Sequence, residues 1–177
     1  MAHPASRRAT TTPRIGPVLE FMRRLWAVNH ALDSASKRMA RRLGVTGPQR
    51  LVIRMIGRFP GISAGALAEI LHSHPSTLTG VLLRLQRRGL VVRRSDRADG
   101  RRALLELGTR GRALDRLRGG TAEAVVRRVL RRADRREVAA TARLLETVAG
   151  ELESSLASLP ARRPSGSARP RRPARRG

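Results

Sequence analysis

The stretch "HSHPSTLTGVLLRLQRRGLVVRRSDRADGRRALLEL", residues His72–Leu107, contains the signals that decide the fold. Apolar residues first recur at helical spacing and stop at Gly89, which predicts a helix with a glycine at its C-terminal end. Two short alternating runs follow, Leu90–Arg94 and Ala103–Leu107, and the turn between them is rich in Arg and Asp. Such runs predict a β-hairpin. The stretch therefore predicts a helix followed by a two-stranded wing.

Three helices are predicted upstream of this stretch. Residues Pro17–Leu43 repeat apolar side chains in a four–three pattern, which is typical of a long helix with a packing seam. The sequence "TGPQ" at Thr46–Gln49 matches a capping box, so a second helix begins there. The residues of that helix predicted to point inward are Leu51, Val52, Met55 and Ile56. Ser63 is placed to cap a third, short helix.

Further helices are predicted after the hairpin. One begins near Thr109, which we expect to cap it, and Gly119–Gly120 should bend or break it before Thr121 restarts it. Asp134 begins "DRRE", which resembles a capping box and opens a last helix. Its apolar residues recur at heptad-like spacing: Val138, Leu145, Val148, Leu152 and Leu159.

The fold class predicted from this order is mainly α with a small β-hairpin wing. A winged helix-turn-helix for DNA binding occupies residues 45–107 of a domain at 14–159. Long dimerisation helices flank it, at 14–44 and 109–159. The apolar surface along these helices is larger than the small winged helix could bury, so we expect the helices to pack against a second copy of the chain.

Charge is the most unusual property of the composition. The 177 residues carry a formal net charge of +25, and Lys37 is the only lysine among 38 basic residues. A charge of this size indicates a polyanionic partner. Residues 1–13 and the Arg/Pro-rich residues 160–177 are predicted to be disordered tails. The second tail is either simply solvated or a phosphate-binding arm that ignores sequence.

Several classes of protein are excluded or disfavoured by what the sequence lacks. There is no cysteine, which excludes disulfides, Cys-ligated zinc and thiol redox chemistry. We find no signal peptide and no apolar run long enough for a membrane span, so a cytoplasmic protein is expected. No catalytic arrangement, phosphate loop or pair of carboxylates in an apolar pocket indicates an enzyme, and no cofactor is expected.

The predicted helix from His74 to Arg88 has two distinct faces at about 100° per residue. Leu78 and its apolar neighbours form one face, and the other holds small polar residues and arginines. No acidic residue occurs from Ile70 to Ser95, where there are five Arg. This profile is typical of a helix in the DNA major groove, although an ordinary solvated basic face remains the alternative. The candidate DNA-binding residues of this helix are Ser76, Thr77, Thr79, Gly80, Arg84 and Arg87.

The predicted turn of the hairpin offers a second contact with DNA. Arg101 and Arg102 lie at its tip, and Asp96 and Asp99 can hydrogen-bond turn amides and orient an arginine. An arginine held in this way can enter the narrow, electronegative minor groove. The alternative is that these charges only keep a loop soluble.

Together, these motifs resemble the MarR family of winged-helix transcriptional regulators. The resemblance rests on "LAEILHSHPSTLTGVLLRLQRRGLVVRRSDRADGRRALLEL" and, upstream, on "VTGPQRLVI". It implies a homodimer that reads a pseudo-palindromic operator, with Ser76, Thr77, Thr79 and Arg84 at the major groove or phosphates. It also implies that Arg101 is the wing arginine. This sequence departs from the family pattern at Gly80, where a larger polar residue is common.

Two further clusters carry hypotheses of their own. Trp26, His30 and Asp33 share one face of the first helix and could bind a small aromatic or anionic effector, of the kind that the family often senses; packing at an interface is the alternative. His72 and His74 have His-x-His spacing, but no third ligand lies nearby in sequence, so we predict no metal site.

The function predicted from the sequence is a sequence-specific, DNA-binding transcriptional regulator. We expect a homodimeric repressor that a small molecule releases from its operator. One alternative is a sequence-tolerant architectural DNA-binding protein driven by Arg charge. A second is an interaction protein whose long helices bind another chain.

Overall fold

The computed structural model describes residues 15–95 and 103–157 of the chain. These residues are mainly helical with one small antiparallel sheet, so the predicted fold class is confirmed. The elements in chain order are α1 (Pro17–Leu43), α2 (Gly47–Arg58), β1 (Ile62–Ser63), α3 (Ala64–Ile70), α4 (Pro75–Arg87), β2 (Val91–Ser95), β3 (Ala103–Leu107), α5 (Thr109–Arg116), α6 (Ala122–Leu130) and α7 (Arg135–Ala157).

The predicted caps at the starts of α2 and α3 are confirmed. The Thr46 hydroxyl accepts a hydrogen bond from the Gln49 backbone N–H, and the Gln49 side chain accepts one from the Thr46 N–H. The Ser63 hydroxyl accepts one from the Ala66 N–H at 3.2 Å. These bonds satisfy N–H groups that have no partner inside the helix, and so fix where each helix begins.

The sheet has one strand more than the hairpin predicted from the sequence. β2 and β3 pair antiparallel, with Val91 opposite Leu107 and Ser95 opposite Ala103. β1 adds Ile62 opposite Leu105 on the other side of β3, which gives the strand order β1-β3-β2. The central strand of the wing is thereby tied to the start of α3.

The core lies between α2, α3, α4 and the sheet, and one prediction about α2 is wrong. Leu51 is 52% exposed, whereas Ile53 is fully buried and Arg50 is only 1% exposed. Val52 and Ile56 are buried as predicted, and Met55 is partly buried against the core. The inward face of α2 is rotated relative to the prediction because Arg50 occupies an inward position and binds groups of later helices.

Two glycines bring the start of α5 against the end of α4. Gly108, and not Thr109, is the N-cap residue of α5, so the predicted cap is wrong. A Cβ atom at Gly108 would overlap the Gly89 carbonyl oxygen, and one at Gly111 would overlap that of Leu90. The predicted break near Gly119–Gly120 is confirmed, since α5 ends at Arg116 and α6 begins at Ala122.

The described residues up to 128 form one compact unit, and those from 129 onward form a second. In the second, Oδ1 of Asp134 accepts a hydrogen bond from the Arg136 N–H at 2.7 Å, which confirms the predicted cap. Leu145 and Leu152 on α7 are exposed, and Leu159 lies outside the described residues. Within 15–95 and 103–157, no helix is long and apolar enough to cross a membrane.

Candidate nucleic-acid interface

The helix α4 presents the face predicted for DNA contact. Its apolar side is buried in the core through Leu78, Val81, Leu82 and Leu85. Because these four residues fix the rotation of the helix, its opposite side must face solvent. The exposed candidates on that side are Ser76, Thr77, Thr79, Arg84 and Arg87, with Gly80 partly buried among them.

The turn before α4 contains two histidines, His72 and His74. His74 is the N-cap residue: its Nδ1 atom accepts a hydrogen bond from the Ser76 N–H at 3.3 Å and lies 2.7 Å from the Ser76 hydroxyl oxygen. His72 adopts a φ of 45°, the one positive φ among the described residues other than glycine. Both histidines therefore shape the turn between α3 and α4. The described residues contain no cluster of three His, Asp or Glu suited to a metal ion.

The hydroxyl groups and the arginines of α4 differ in how much of their hydrogen-bonding capacity is left for DNA. The Thr79 hydroxyl donates a hydrogen bond to the Pro75 carbonyl at 2.8 Å, which leaves it only as an acceptor for DNA. Arg84 and Arg87 form no ion pair with any described acidic residue. Their guanidinium groups are therefore available to phosphates or to guanine edges.

The C-terminal end of α4 is hydrogen-bonded to the end of α1. An Nη1 atom of Arg88 donates a hydrogen bond to the Gly44 carbonyl at 2.5 Å, where α1 ends. Gly89 then takes a left-handed φ of 64° and turns the chain into β2. These contacts hold the helix and the first wing strand in one orientation.

The two strands of the wing, β2 and β3, lie within the described residues. Nε of Arg94 on β2 lies 2.8 Å from Oε2 of Glu106 on β3, an exposed ion pair across the strands. The predicted wing residues Asp96, Asp99, Arg101 and Arg102 all lie outside the described residues. The roles of these four residues stay predictions.

The buried Arg50 was missed by the sequence reasoning. Its Nε donates to Oε1 of Glu123 at 2.6 Å, and its Nη2 donates to the Leu117 carbonyl at 2.8 Å. Its Nη1 contacts the Leu114 carbonyl oxygen. One side chain of α2 thus ties the winged helix to the end of α5 and the start of α6. The only sequence signal for this role is the position of Arg50, which directly follows the capping box and lies next to the apolar run of α2.

The ion pair shifts the acidity of Glu123. Burial alone would raise the pKa of Glu123. Hydrogen bonds from its own backbone N–H and from Arg50, together with the positive charge of Arg50, outweigh burial and lower that pKa. Nearby, Nη1 of Arg54 lies 2.6 Å from Oδ1 of Asp115, an ion pair that joins α2 to α5. The carboxylates on this side of the winged helix are therefore engaged in structural contacts.

The candidate effector residues Trp26, His30 and Asp33 are all exposed on α1. They share a face, as predicted, and their role stays a prediction. Two open clefts of about 260 and 400 Å³ lie elsewhere, on either side of Glu106 and Arg112. Neither of these clefts is lined by the three α1 residues.

These features define the chain as a winged helix-turn-helix protein with a fixed, basic and acid-free helix. Comparison with known proteins shows what this chain is similar to. The sequence model described as the MarR family matches residues 43–102. The HTH-type transcriptional repressor Mb2911 of Mycobacterium bovis is 38% identical over 85 residues, which are 48% of this chain and 58% of that protein. The chain spans about half the length of the curated relatives it matches.

Solved structures extend the similarity over most of the chain. The PcaV transcriptional regulator from Streptomyces coelicolor, in complex with its natural ligand, is 26% identical, with a TM-score of 0.59. The match covers 78% of this chain and 96% of that one. A mutant MarR from E. coli complexed with operator DNA is 25% identical, with a TM-score of 0.59, and the match covers 74% and 94%. The resemblance to the MarR family is thus confirmed, and residues 43–102 match the sequence model of that family.

Proposed function

We propose that the protein is a transcriptional regulator that binds DNA in a sequence-specific manner through α4. The observation that carries this proposal is the face of α4, which combines free arginines with small hydroxyl residues and has no acidic residue. The four buried side chains opposite it fix its orientation. A helix held in this way can enter the major groove without reorganising, with its N-terminal half toward the base edges. The MarR solved with operator DNA has the same fold and supports this use of it.

We propose that two copies of the chain form the binding unit. Between residues 18 and 32, α1 exposes a series of apolar side chains: Val18, Leu19, Met22, Val28 and Leu32. Apolar surface of this extent on one helix is typical of an interface. We propose that a second copy of the chain covers these side chains with its own α1 and neighbouring helices. The dimer then presents two α4 helices to two half-sites of the DNA. The operator would then be a pseudo-palindrome.

We further propose that the dimer is a repressor released by a small molecule that contacts Trp26, His30 and Asp33. The named repressor among the relatives, and the PcaV regulator solved with its natural ligand, support this proposal. Trp26 is the only tryptophan, so its fluorescence reports on a ligand that stacks against it. If Trp26→Ala leaves ligand-induced release of DNA unchanged, the effector site lies elsewhere.

Selection of bound duplexes from a random pool at physiological salt tests the proposal. It is carried out with the full chain and with a chain lacking residues 160–177. Both should enrich one pseudo-palindrome with half-sites about 10 base pairs apart, centre to centre. Pools that stay unchanged would instead show binding by Arg charge alone, as in an architectural protein.

Two arginine variants serve as a matched pair in that selection. Arg84→Ala and Arg41→Ala each remove one exposed positive charge, from α4 and from the last turn of α1. Arg84→Ala should flatten the preference at one or two positions in each half-site, and Arg41→Ala should leave the motif intact. Equal effects of the two variants would contradict base contact by Arg84.

A further inference from the structure

One large apolar side chain lies on the exposed face of α4. Leu83 is 45% exposed, whereas Leu82 and Leu85 beside it are 3% and 0% exposed. Loose packing therefore does not account for its exposure, because the helix buries its other leucines completely. Leu83 is therefore available, amid the polar and basic residues of this face, for a contact with whatever α4 binds.

The position of Leu83 on the helix places it at the centre of that face. At about 100° per residue, Ser76, Gly80, Leu83 and Arg87 form a single stripe. This stripe lies opposite the fully buried Leu85. When α4 lies along a major groove with its N-terminal half at the base edges, this stripe faces the floor of the groove, and Leu83 follows the N-terminal residues two turns after Ser76.

The stripe has a gap one turn before Leu83. Gly80 does not have a positive φ, so its backbone conformation does not require glycine. A Cβ there would meet only the Arg84 guanidinium, at 3.7 and 3.9 Å, which are ordinary contact distances. Neither strain nor packing within the chain requires a glycine at position 80. Its effect is to leave a notch between Ser76 and Leu83 that lets the helix backbone approach the bases closely.

The chemistry of the major groove offers one apolar partner for such a notch. The C5-methyl group of thymine is the only apolar group that a base presents there, and aliphatic side chains contact it. We propose that Leu83 and Gly80 form a thymine-methyl contact in each half-site, so that the protein selects an A·T pair next to the bases read by its arginines. This inference rests on the proposed entry of α4 into the major groove.

Replacement of thymine by deoxyuridine tests the contact, because it removes the methyl group and nothing else. The duplex enriched from the random pool is remade with deoxyuridine at each thymine in turn. Binding of the full-length protein and of Leu83→Ala is then measured. For the wild-type protein, deoxyuridine at one symmetric position should weaken binding roughly fourfold per half-site, the value of burying one methyl-sized group. For Leu83→Ala, the same replacement should change binding less than about twofold, as expected when no apolar partner remains.

Two further variants separate the contact from effects on folding. Leu83→Met keeps an apolar side chain of similar volume and should retain the sensitivity to deoxyuridine. Gly80→Ala is compatible with the helix and should fold normally, but its methyl group fills the notch and should reduce the discrimination. Unchanged circular dichroism of each variant confirms that folding is intact.

The outcomes distinguish this inference from the proposed function. If the wild-type protein enriches a motif but no thymine is sensitive, or Leu83→Ala shows the same sensitivity, the thymine contact is wrong while sequence-specific binding stands. If the wild-type protein enriches no motif, the proposed function fails, and the inference fails with it.

Discussion

Replacing Arg50 by alanine should strongly destabilise the winged helix. Arg50 is only 1% exposed and gives charge-assisted hydrogen bonds to Glu123 and to the carbonyls of Leu114 and Leu117. Alanine can make none of these bonds. The substitution leaves one carboxylate and two carbonyl groups without their donor, and it opens a cavity beside the core.

The size of the effect follows from the burial of the two partners. Removing one member of a buried ion pair costs about 3–5 kcal/mol. The Glu123 side chain is 31% exposed, so water partly hydrates its stranded charge. The expected loss is therefore at the lower end, about 3 kcal/mol in the free energy of unfolding. In a chain of this length that corresponds to a decrease in Tm of roughly 6–12 °C.

Urea unfolding followed by circular dichroism at one fixed protein concentration measures this loss. Fixed concentration matters because an associating protein gains stability by mass action. Arg50→Met separates the two contributions, because it fills most of the cavity but restores no hydrogen bond, so it should lie between wild type and Arg50→Ala. Arg41→Ala, on the exposed side of α1, should change stability by less than about 0.5 kcal/mol. A loss below about 1 kcal/mol for Arg50→Ala would refute the view that this residue ties α2 to α5 and α6.

Three further substitutions test the acidity of Glu123, a close glycine contact and the dimer interface. Because the pKa of Glu123 is lowered in the folded state, its carboxylate contributes fully to stability above its ordinary pKa of 4.5, and this contribution is lost as pH falls through the folded pKa. Glu123→Gln should therefore reduce the acid dependence of the free energy of unfolding, and an unaltered dependence would contradict this. Gly111→Ala should lower the free energy of unfolding in urea by about 1–3 kcal/mol, because the new Cβ atom would overlap the Leu90 carbonyl oxygen. Gly65→Ala, where a Cβ atom would meet open space, should not lower it, and equal effects would contradict the close approach at Gly111. Met22→Arg should shift the mass in analytical ultracentrifugation from dimer to monomer, and an unchanged mass would place the interface away from α1.

The parts of the fold that could be predicted from the sequence are those with local signals. The start of α2 at Thr46 depends on two hydrogen bonds within four residues, and the end of α4 depends on a glycine next to it. The buried side of α4 follows from helical spacing alone. The exposed face of α4 could be predicted as well, because burying one side of a helix leaves the opposite side facing solvent.

The parts that were missed depend on contacts distant in sequence. β1 has two residues, too few for an alternating pattern, and exists because it pairs with β3. The inward position of Arg50 depends on Glu123, 73 residues later. Gly108 caps α5, in place of Thr109, where the chain packs against Gly89. None of these partners can be identified from the residues next to them.

The most direct test of sequence-specific binding is a ratio of two dissociation constants. The full-length protein is titrated at physiological salt with the duplex enriched from the random pool, and with a shuffled duplex of the same length and base composition. We predict that the enriched duplex binds at least about 1,000-fold more tightly, as expected when base contacts add to phosphate contacts. Dissociation constants that agree within a few-fold would contradict the account, because phosphate attraction to the Arg charge would then explain all of the binding.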